Sequence, residues 1–394
     1  MSSINKCEKN GHEMADAKKN IRGTITKEDL DEYKATLGKI IYPLRSNETA
    51  TKDSIRHFAD GIGDSNPLWR SEDYARKTRY GSIIAPPFFL NAISEGQAIL
   101  GLRGVIALYT GTEWEWSRII RINDTITAIN IPLDIEEKGG EKGSRRFLQT
   151  GKITYRNQQD DVIATCKWNA MRIESEKDDI AKNREQDKNR NFDIYKYNEE
   201  ELTAIYRAYE EEKIRGAEPR YWEDVKVGDE LRPVVKGPLS LSDMIAFTVG
   251  ISWSRISEAH GLKIARIRKK PGLGYRDPIT GALEPMANVH FLDSAAKLLA
   301  GIPVPFDLGM QRVSWLGHLL TNWMGDEGFL KKLYARCQNV VIFGDTNWCR
   351  GKVSGKHAES GEHFVQCDIW SENQTGEMTA QGQAIVALPS RGER

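Results

Sequence analysis

The sequence has no long apolar run, no excess of one charge and few cysteines. None of its apolar stretches approaches the ~18 residues that a membrane-spanning helix needs, and none lies near the N-terminus. Lysine plus arginine and aspartate plus glutamate both number 56, so no net charge draws the chain to nucleic acid or to an anionic membrane. We therefore expect a cytoplasmic protein whose partner is a small molecule, with neither nucleic acid nor membrane as a partner.

Metal and cofactor motifs are also absent. The five cysteines are scattered and form no Cys-x-x-Cys pair, and the seven histidines lack the spacing of metal ligands. The stretch "PGLGYRDP" (271–278) lacks the third glycine of a dinucleotide-binding motif. These patterns predict a reducing compartment without disulfides, and a site with neither metal nor cofactor.

Polar segments divide the chain into parts. We expect residues 1–40 to hold a polar extension and an entry helix, because "TKEDLDEY" opens with a threonine and acids in the manner of a helix start. Residues 176–219 read as a charged linker followed by a charged helix. The two remaining parts, 41–175 and 220–390, are each long enough for one domain.

These two parts resemble each other. "TKDSIRHFADG" (51–61) matches "LSDMIAFTVG" (241–250), and Asp124 matches Asp345 at an offset of 221 positions (345 − 124). The runs around 154–166 and 370–382 share an Asn-Gln turn between strand-like segments, which is typical of a β-hairpin. We interpret this as an internal duplication with an α+β fold, in which each copy has a helix wrapped by an antiparallel sheet.

The stretch "GDSNPLWRSEDYARKTRYGSIIAPPFFL" (63–90) resembles a loop of the MaoC-like hydratase family, which reads Asp-x-Asn-Pro-x-His and leads into a central helix. The second half adds "IFGDTNWCRGKV" (342–353) and "NQTGEMTAQGQAIVALP" (373–389), which resemble strands of the same family. The resemblance implies a double hot-dog fold whose N-terminal copy is degenerate. It also implies that water is added to or removed from a 2-enoyl thioester by an Asp and a His.

The family's two catalytic positions are split between the halves. In the first half Asp64 matches the acid, but Trp69 stands where the family has histidine. In the second half His290 lies 221 positions after Trp69 (290 − 69), while counting five residues back gives Pro285. We expect His290 to be catalytic, with Asp64 as its acid across the two halves; the alternative acids are Asp293, Glu284 and Asp307.

Other residues are candidates for substrate binding. The resemblance implies that Gly309, at the entry of the second central helix, lets a thioester carbonyl approach the helix amides, and that Asn66 and Trp69 shape the groove. Arg268, Lys269 and Lys270 lie in a basic insertion and are candidates for contacts with the phosphates of coenzyme A; a solvated loop is the alternative.

The leading hypothesis is a hydratase or dehydratase acting on an acyl thioester of coenzyme A or of an acyl carrier protein. Two alternatives stay open: an acyl-CoA thioesterase on the same fold, and a non-catalytic acyl-CoA binding or scaffold protein. A homodimer is a further expectation.

Overall fold

The computed structural model describes residues 24–43, 47–94, 101–102, 105–139, 145–174, 192–253, 259–269 and 274–393. Most of the predicted N-terminal extension and of the predicted linker lies outside the described residues, as does Lys270.

Helices in these ranges are short, with one exception. In chain order α1 to α8 span Lys27–Lys34, Lys52–Gly61, Glu72–Ala75, Glu199–Glu210, Leu241–Gly250, Leu262–Lys269, Asp293–Ala295 and Gly309–Met324. Short 3-10 turns lie at Pro67–Trp69, Pro87–Ala92, Trp222–Asp224, Met286–His290 and Arg391–Glu393, and α7 continues into a π-helical turn, Ala296–Ala300. None of the helices in the described part of the chain is long and apolar enough to cross a membrane.

Local sequence explains where several helices begin. The predicted entry helix is confirmed as α1, where Thr26 and Asp29 form a reciprocal capping box. Asn198 and Glu201 do the same at α4, and Ser240 caps α5 in the same way. Each box satisfies backbone N–H groups that have no partner within the helix.

Most strands belong to one antiparallel sheet. The strands β1 to β13 span Ile84–Ala85, Ile106–Trp116, Ile120–Arg121, Thr127–Lys138, Arg146–Arg156, Val162–Ile173, Glu230–Lys236, Gly274–Arg276, Leu283–Pro285, Phe329–Cys337, Asn347–Glu359, Glu362–Asn373 and Met378–Leu388. The nine-stranded sheet has the order β4-β5-β6-β2-β10-β13-β12-β11-β7, and β1 with β3 and β8 with β9 form small separate pairs. The four strands of the first half therefore lie next to one another along the sheet, and the five strands of the second half follow beside them.

The two halves join edge to edge at the centre of this sheet. Strands β2 and β10 pair antiparallel, with Glu113 opposite Tyr334. Gly111 is needed at this joint, because a Cβ there would lie 2.8 Å from the carbonyl oxygen of Ala335. This pairing removes two exposed sheet edges at once.

The internal duplication is confirmed by matching hydrogen bonds. Asp124 accepts hydrogen bonds from the side chain of Gln158 and from the backbone N–H three residues before it. Asp345 accepts the corresponding pair from Gln374 and from the backbone N–H three residues before it. The same local network therefore stabilises both copies at the start of a sheet strand.

Helices α2 and α5 also pack as equivalent partners. A Cβ on Gly61 would lie 2.9 Å from the carbonyl oxygen of Ala246, and a Cβ on Gly250 would lie 2.6 Å from that of His57. Only glycine permits so close an approach at both positions. Such a reciprocal contact is expected when a twofold pseudo-symmetry axis relates the two halves.

The core of the second half is α8, which the sheet wraps. All of its residues from Met310 to Met324 are buried. The apolar stripe of residues 317–334 in the sequence predicts that this helix continues to residue 334, and that prediction is wrong beyond Met324. Gly325, with a φ of +73°, ends the helix, and the following "FLKKLYARC" alternates between buried and exposed positions as strand β10.

Candidate active site

Two loops with the same backbone geometry follow α2 and α5. The N–H of Asp64 donates to the carbonyl five residues earlier at 2.8 Å, and the N–H of Trp253 does so at 3.0 Å. The residues before them, Gly63 and Ser252, both have positive φ, at +64° and +47°. Trp253 is therefore the spatial counterpart of Asp64.

This equivalence corrects the sequence analysis. Counting five residues back from His290 assigned the acid position to Pro285. In the folded structure Trp253 occupies that position instead. Trp253 and His290 are 37 positions apart (290 − 253), because α6 and the β8–β9 pair are inserted between them. The second half thus carries an indole at the position where the resemblance implies a carboxylate.

In the first half, Asp64 at the acid position is in direct contact with Trp69 at the histidine position. The indole N–H of Trp69 donates to Oδ2 of Asp64 at 2.9 Å, and the backbone N–H of Asn66 donates to Oδ1 at 2.9 Å. The side chain of Asn66 in turn caps the short turn by accepting from the N–H of Leu68. All of this lies in the interior, where Asp64 is 0% exposed. The loop keeps the geometry of an acid and its partner, with an indole in place of an imidazole.

Asp64 also reaches across to the second half. Its Oδ1 lies 3.6 Å from Nε2 of His318 on α8, and the same Nε2 lies 3.0 Å from Glu212. The side chain of Asn322 donates to Glu212 at 2.9 Å, and Nζ of Lys236 donates to the carbonyl of Gly63 at 3.0 Å. We call Asp64, Glu212, Lys236, His318 and Asn322 the polar cluster.

Burial, hydrogen bonds and neighbouring charges together shift the pKa values in this cluster. Burial acts to raise the pKa of Glu212, but the hydrogen bonds from His318 and Asn322 and the charges of His318 and Lys236 outweigh it and lower this pKa to about 2. Burial lowers the pKa of Lys236, and the neighbouring carboxylates of Glu212 and Asp64 oppose that shift. The cluster is a network of opposite charges whose members compensate one another.

From the sequence alone, the position of His318 on a helical stretch favours a packing or surface role, and nothing singles out Glu212. A signal was present, because Ser314, His318 and Asn322 recur at four-residue spacing on an otherwise apolar helix and so share one face. Polar groups on a buried helix face require partners. The sequence could not name those partners, since they come from distant parts of the chain.

His290 lies near the start of α8. Its Nδ1 is 2.8 Å from the carbonyl oxygen of Phe306, so Nδ1 carries the proton of the neutral ring and donates it. The ring packs against Trp253 and Phe306, with centroid distances of 5.8 and 4.8 Å. Leu308 at the N-cap contributes no side-chain hydrogen bond to the helix start.

The structure brings Asp64 together with His318 and His290 together with Trp253. His318 is nine residues into α8, about 13 Å from its start at 1.5 Å per residue, whereas His290 bonds to the chain just before that start. Asp64 therefore lies near the middle of α8, whereas His290 contacts the chain before the helix begins.

The three alternative acids have different surroundings. Both carboxylate oxygens of Asp307 accept from Arg312 at 2.8 Å, and the buried pair anchors the first turn of α8. Glu284 lies 3.6 Å from Arg268, and Asp293 is exposed at the start of α7. Asp307 is thus committed to its ion pair, and Glu284 connects the strand before the His290 turn to the basic helix α6.

The remaining candidates are Gly309 at the start of α8 and the basic residues of α6. The ring of Tyr109, from the first half, packs against Gly309, where a Cβ would lie 2.8 Å from it. This contact gives Gly309 a packing role besides the one expected from the resemblance. Arg268 and Lys269 are in the last turn of α6.

The polar cluster makes a prediction about stability and pH. Because the folded-state pKa of Glu212 is lowered from 4.5 to about 2, its stabilising effect is fully present above 4.5 and is lost as the pH falls toward 2. We expect Glu212→Gln to lower the free energy of unfolding by about 2 to 3 kcal/mol at pH 7. Urea denaturation of both proteins across this pH range measures the difference.

The matched control is Glu210→Gln, which changes an exposed carboxylate on α4. We expect it to change stability by less than about 0.5 kcal/mol. The stabilising role of the Glu212 carboxylate would be contradicted if the effect of Glu212→Gln stays constant down to pH 2. It would also be contradicted if Glu212→Gln changes stability no more than Glu210→Gln does.

Comparison with known proteins gives matches in sequence and in fold. A family model described as "FAS1-like, dehydratase domain region" matches residues 35–166. A "Probable enoyl-CoA hydratase alpha subunit" from Thermomonospora curvata is 29% identical over 164 residues, which is 36% of this chain and 50% of that protein, so the chain spans about half its length. A "UPF0336 protein" from Thermobifida fusca is 32% identical over 108 residues, 26% of this chain and 71% of that protein.

Solved structures match over nearly the whole chain. A "MaoC-like dehydratase" superimposes with a TM-score of 0.62 at 17% identity, covering 91% of this chain and 99% of the other. A conserved hypothetical protein from Mycobacterium tuberculosis, described as having a double hotdog fold, gives a TM-score of 0.55 at 11% identity, covering 89% and 96%. The predicted α+β double hot-dog fold is confirmed. The chain is thus related in sequence to the UPF0336 proteins and, over residues 35–166, to the FAS1-like dehydratase family, and it carries the double hot-dog fold of MaoC-like dehydratases in one polypeptide.

Proposed function

We propose that this protein adds water to, or removes it from, a 2-enoyl (3-hydroxyacyl) thioester of coenzyme A, with His290 as the catalytic base. The observation that carries the proposal is the position of His290: its ring is oriented by the Phe306 carbonyl and lies beside the start of a buried helix. The dehydratase family model that matches residues 35–166 supports the reaction class, and the relative in Thermomonospora curvata bears the name of an enoyl-CoA hydratase subunit.

The orientation of the ring suits proton transfer. With Nδ1–H donated to a carbonyl, the lone pair of the neutral imidazole is on Nε2. In hydration, Nε2 takes a proton from water as the water oxygen bonds to C3, and the electrons of the double bond move into the thioester as an enolate. The imidazolium then returns a proton to C2, so a single imidazole balances the reaction.

The helix start suits the developing negative charge. The first amides of a helix have no partner within it, and the N-cap residue of α8, Leu308, provides no side-chain acceptor for them. Such amides and the helix dipole stabilise an enolate oxygen. Gly309 is the first residue of α8.

Trp253 favours a second candidate function. Because this indole occupies the acid position against the His290 ring, no carboxylate from the equivalent loop position orients the attacking water. A protein that binds acyl-CoA without turnover is the alternative that this substitution favours. Under the leading proposal, catalysis depends on His290 without that acid.

Removing the imidazole tests the proposal. We expect His290→Ala to lower the rate of crotonyl-CoA hydration by about 100-fold or more, the usual contribution of a positioned general base, with little change in binding. Loss of the enoyl absorbance measures hydration, and a thiol reagent measures thioester cleavage.

His57→Ala is the control, because His57 is exposed on α2, and its activity should equal that of the wild type. Undiminished hydration by His290→Ala would exclude the proposed base. Thiol release without hydration would indicate a thioesterase, and binding without either reaction would support the binding function.

Restoring the acid gives a gain-of-function prediction. Trp253→Asp places a carboxylate at the position equivalent to Asp64, next to the ring of His290. We expect hydration to become about 10-fold faster or more, since the carboxylate can orient water and stabilise the imidazolium. Steady-state kinetics with crotonyl-CoA measure the change.

The control for that change is Trp253→Phe, which keeps an aromatic ring and adds no carboxylate. If a folded Trp253→Asp protein is no faster than Trp253→Phe, then Trp253 does not occupy the catalytic acid position.

Basic residues of α6 are proposed to bind the phosphates of coenzyme A. Arg268 and Lys269 lie on a helix whose last turn is basic, close to the β9 strand that leads to His290. We expect Arg268→Ala/Lys269→Ala to raise KM for crotonyl-CoA by about 10-fold, and to leave KM unchanged for the N-acetylcysteamine thioester, which has no phosphates. An equal change for both substrates would point to a structural role. Lys352→Ala, an exposed lysine on β11, is the control.

A further inference from the structure

A buried ion pair lies one residue away from the carbonyl group that orients His290. Asp307 and Arg312 are each 2% exposed, and both carboxylate oxygens of Asp307 accept from the guanidinium group at 2.8 Å. Asp307 follows Phe306 in the chain, and the carbonyl of Phe306 accepts the Nδ1–H of His290 at 2.8 Å. The ion pair is therefore next to the acceptor on which the orientation of the imidazole depends.

The backbone around Phe306 fixes the direction of its carbonyl. Phe306 and Ile342 face each other in an antiparallel bridge, in which the N–H of Asp307 donates to the carbonyl of Val341 at 2.8 Å. This N–H and the carbonyl of Phe306 belong to one planar trans peptide group, so they point in opposite directions. Because the N–H is directed into the bridge, the carbonyl is directed away from it and toward His290.

The side chain of Asp307 strengthens the same connection. Its Oδ1 accepts from the N–H of Val341 at 2.9 Å, so these two residues hold each other through two hydrogen bonds. Arg312 holds the carboxylate from α8 and also donates to the carbonyl of Thr379 on β13 at 2.6 Å. The ion pair thus connects the peptide group after Phe306 both to the central helix and to the sheet.

Both members of the pair are needed to keep it charged in the interior. Burial acts to lower the pKa of Arg312, but the neighbouring charge of Asp307 above all outweighs this effect and raises the pKa. Removing one member leaves an unpaired buried charge, which is strongly destabilising, whereas replacing both with apolar residues of similar volume is tolerated better. A test of what the pair does therefore has to change both residues together.

We propose that Asp307 and Arg312 are positioning residues for His290: their ion pair fixes the carbonyl of Phe306, and this carbonyl keeps the proton of the neutral imidazole on Nδ1. The inference rests on the proposed function, in which the lone pair on Nε2 takes a proton from water. If the carbonyl moves, Nδ1 loses its fixed acceptor and both tautomers of the ring become populated. Asp307 then serves the reaction without being its acid.

The tautomer of His290 measures this positioning without any substrate. The full-length protein is labelled with ¹⁵N-histidine, and NMR is recorded at a pH at which the ring is neutral. The ring nitrogen signals of His290 are identified by their loss in His290→Gln, and their shifts report which nitrogen carries the proton. We expect mainly Nδ1–H in the wild type and a mixture of tautomers in Asp307→Leu/Arg312→Met, which removes both charges.

Steady-state kinetics provide a second measurement. Asp307→Leu/Arg312→Met should lower kcat for crotonyl-CoA hydration by about 10- to 100-fold, as for a misplaced catalytic group, and change KM by less than about threefold. Arg312→Lys keeps the charge but cannot form two parallel hydrogen bonds with the carboxylate. It should therefore change the tautomer and kcat in the same direction by a smaller amount, and it provides the test if the double variant fails to fold.

Leu320→Ala is the control for a general loss of stability. Leu320 is 0% exposed on the same helix, 11 positions after Gly309 (320 − 309). Its truncation leaves a cavity in the core and destabilises the protein. We expect the tautomer of His290 and kcat to stay unchanged in this variant, because the ion pair is intact.

Three results would overturn the proposal: a wild-type tautomer in the folded ion-pair variants, an equal tautomer shift in Leu320→Ala, or a kcat that depends on His290 but not on the ion pair. Failure of the proposed function gives a different result. In that case hydration does not depend on His290, while the tautomer still shifts in the ion-pair variants, and the connection between the ion pair and the ring stands.

Discussion

The close approach of the two halves is the constraint on which the rest of the structure depends. Strands β2 and β10 pair at the centre of the sheet, and α2 packs on α5 at distances that only Gly61 and Gly250 permit. Because these contacts fix the orientation of one copy relative to the other, the loop after α2 lies against α8. A polar cluster and a pocket both form where that loop meets the helix.

This arrangement gives the two equivalent loops different chemistry. The first loop keeps the acid and has an indole as its partner, in Asp64 and Trp69. The second keeps the histidine and has an indole at the acid position, in His290 and Trp253. Each copy thus holds one of the two residue types that the resemblance implies for the reaction, and a tryptophan stands at the position of the other. Asp64 is now held by Trp69 and His318 inside the core, where it links the halves.

The loss of symmetry extends to the ends of α8. At its start, a helix terminus without a side-chain cap lies beside an oriented imidazole, which suits charge development during proton transfer. At its other end, apolar walls that include Trp69 and Trp116 surround a first-half pocket that Asp326 also lines. A duplicated fold therefore offers two different environments built from equivalent positions.

Much of the fold could be predicted because it depends on local patterns. Hydroxyl and acidic residues at capping spacing placed α1, and the repeated Asn-Gln turns placed the matching hairpins. The boundary between α8 and β10 was missed, since the apolar residues before Gly325 and the alternating residues after it were taken as one helical pattern. A change from the helical spacing of apolar residues to the alternation of a strand, within a few residues, is difficult to recognise from one sequence.

The sequence by itself determined the duplication, the family loop and the candidacy of His290, because these rest on residue types and on spacing within each copy. Only the tertiary structure decided the partners. It assigned the acid position to Trp253, since an inserted segment separates that residue from His290 in the chain but not in space. It also brought Glu212 and His318 to Asp64, and Asp326 to the first-half pocket, because burial and charge compensation act between residues that packing brings together, whatever their separation in sequence.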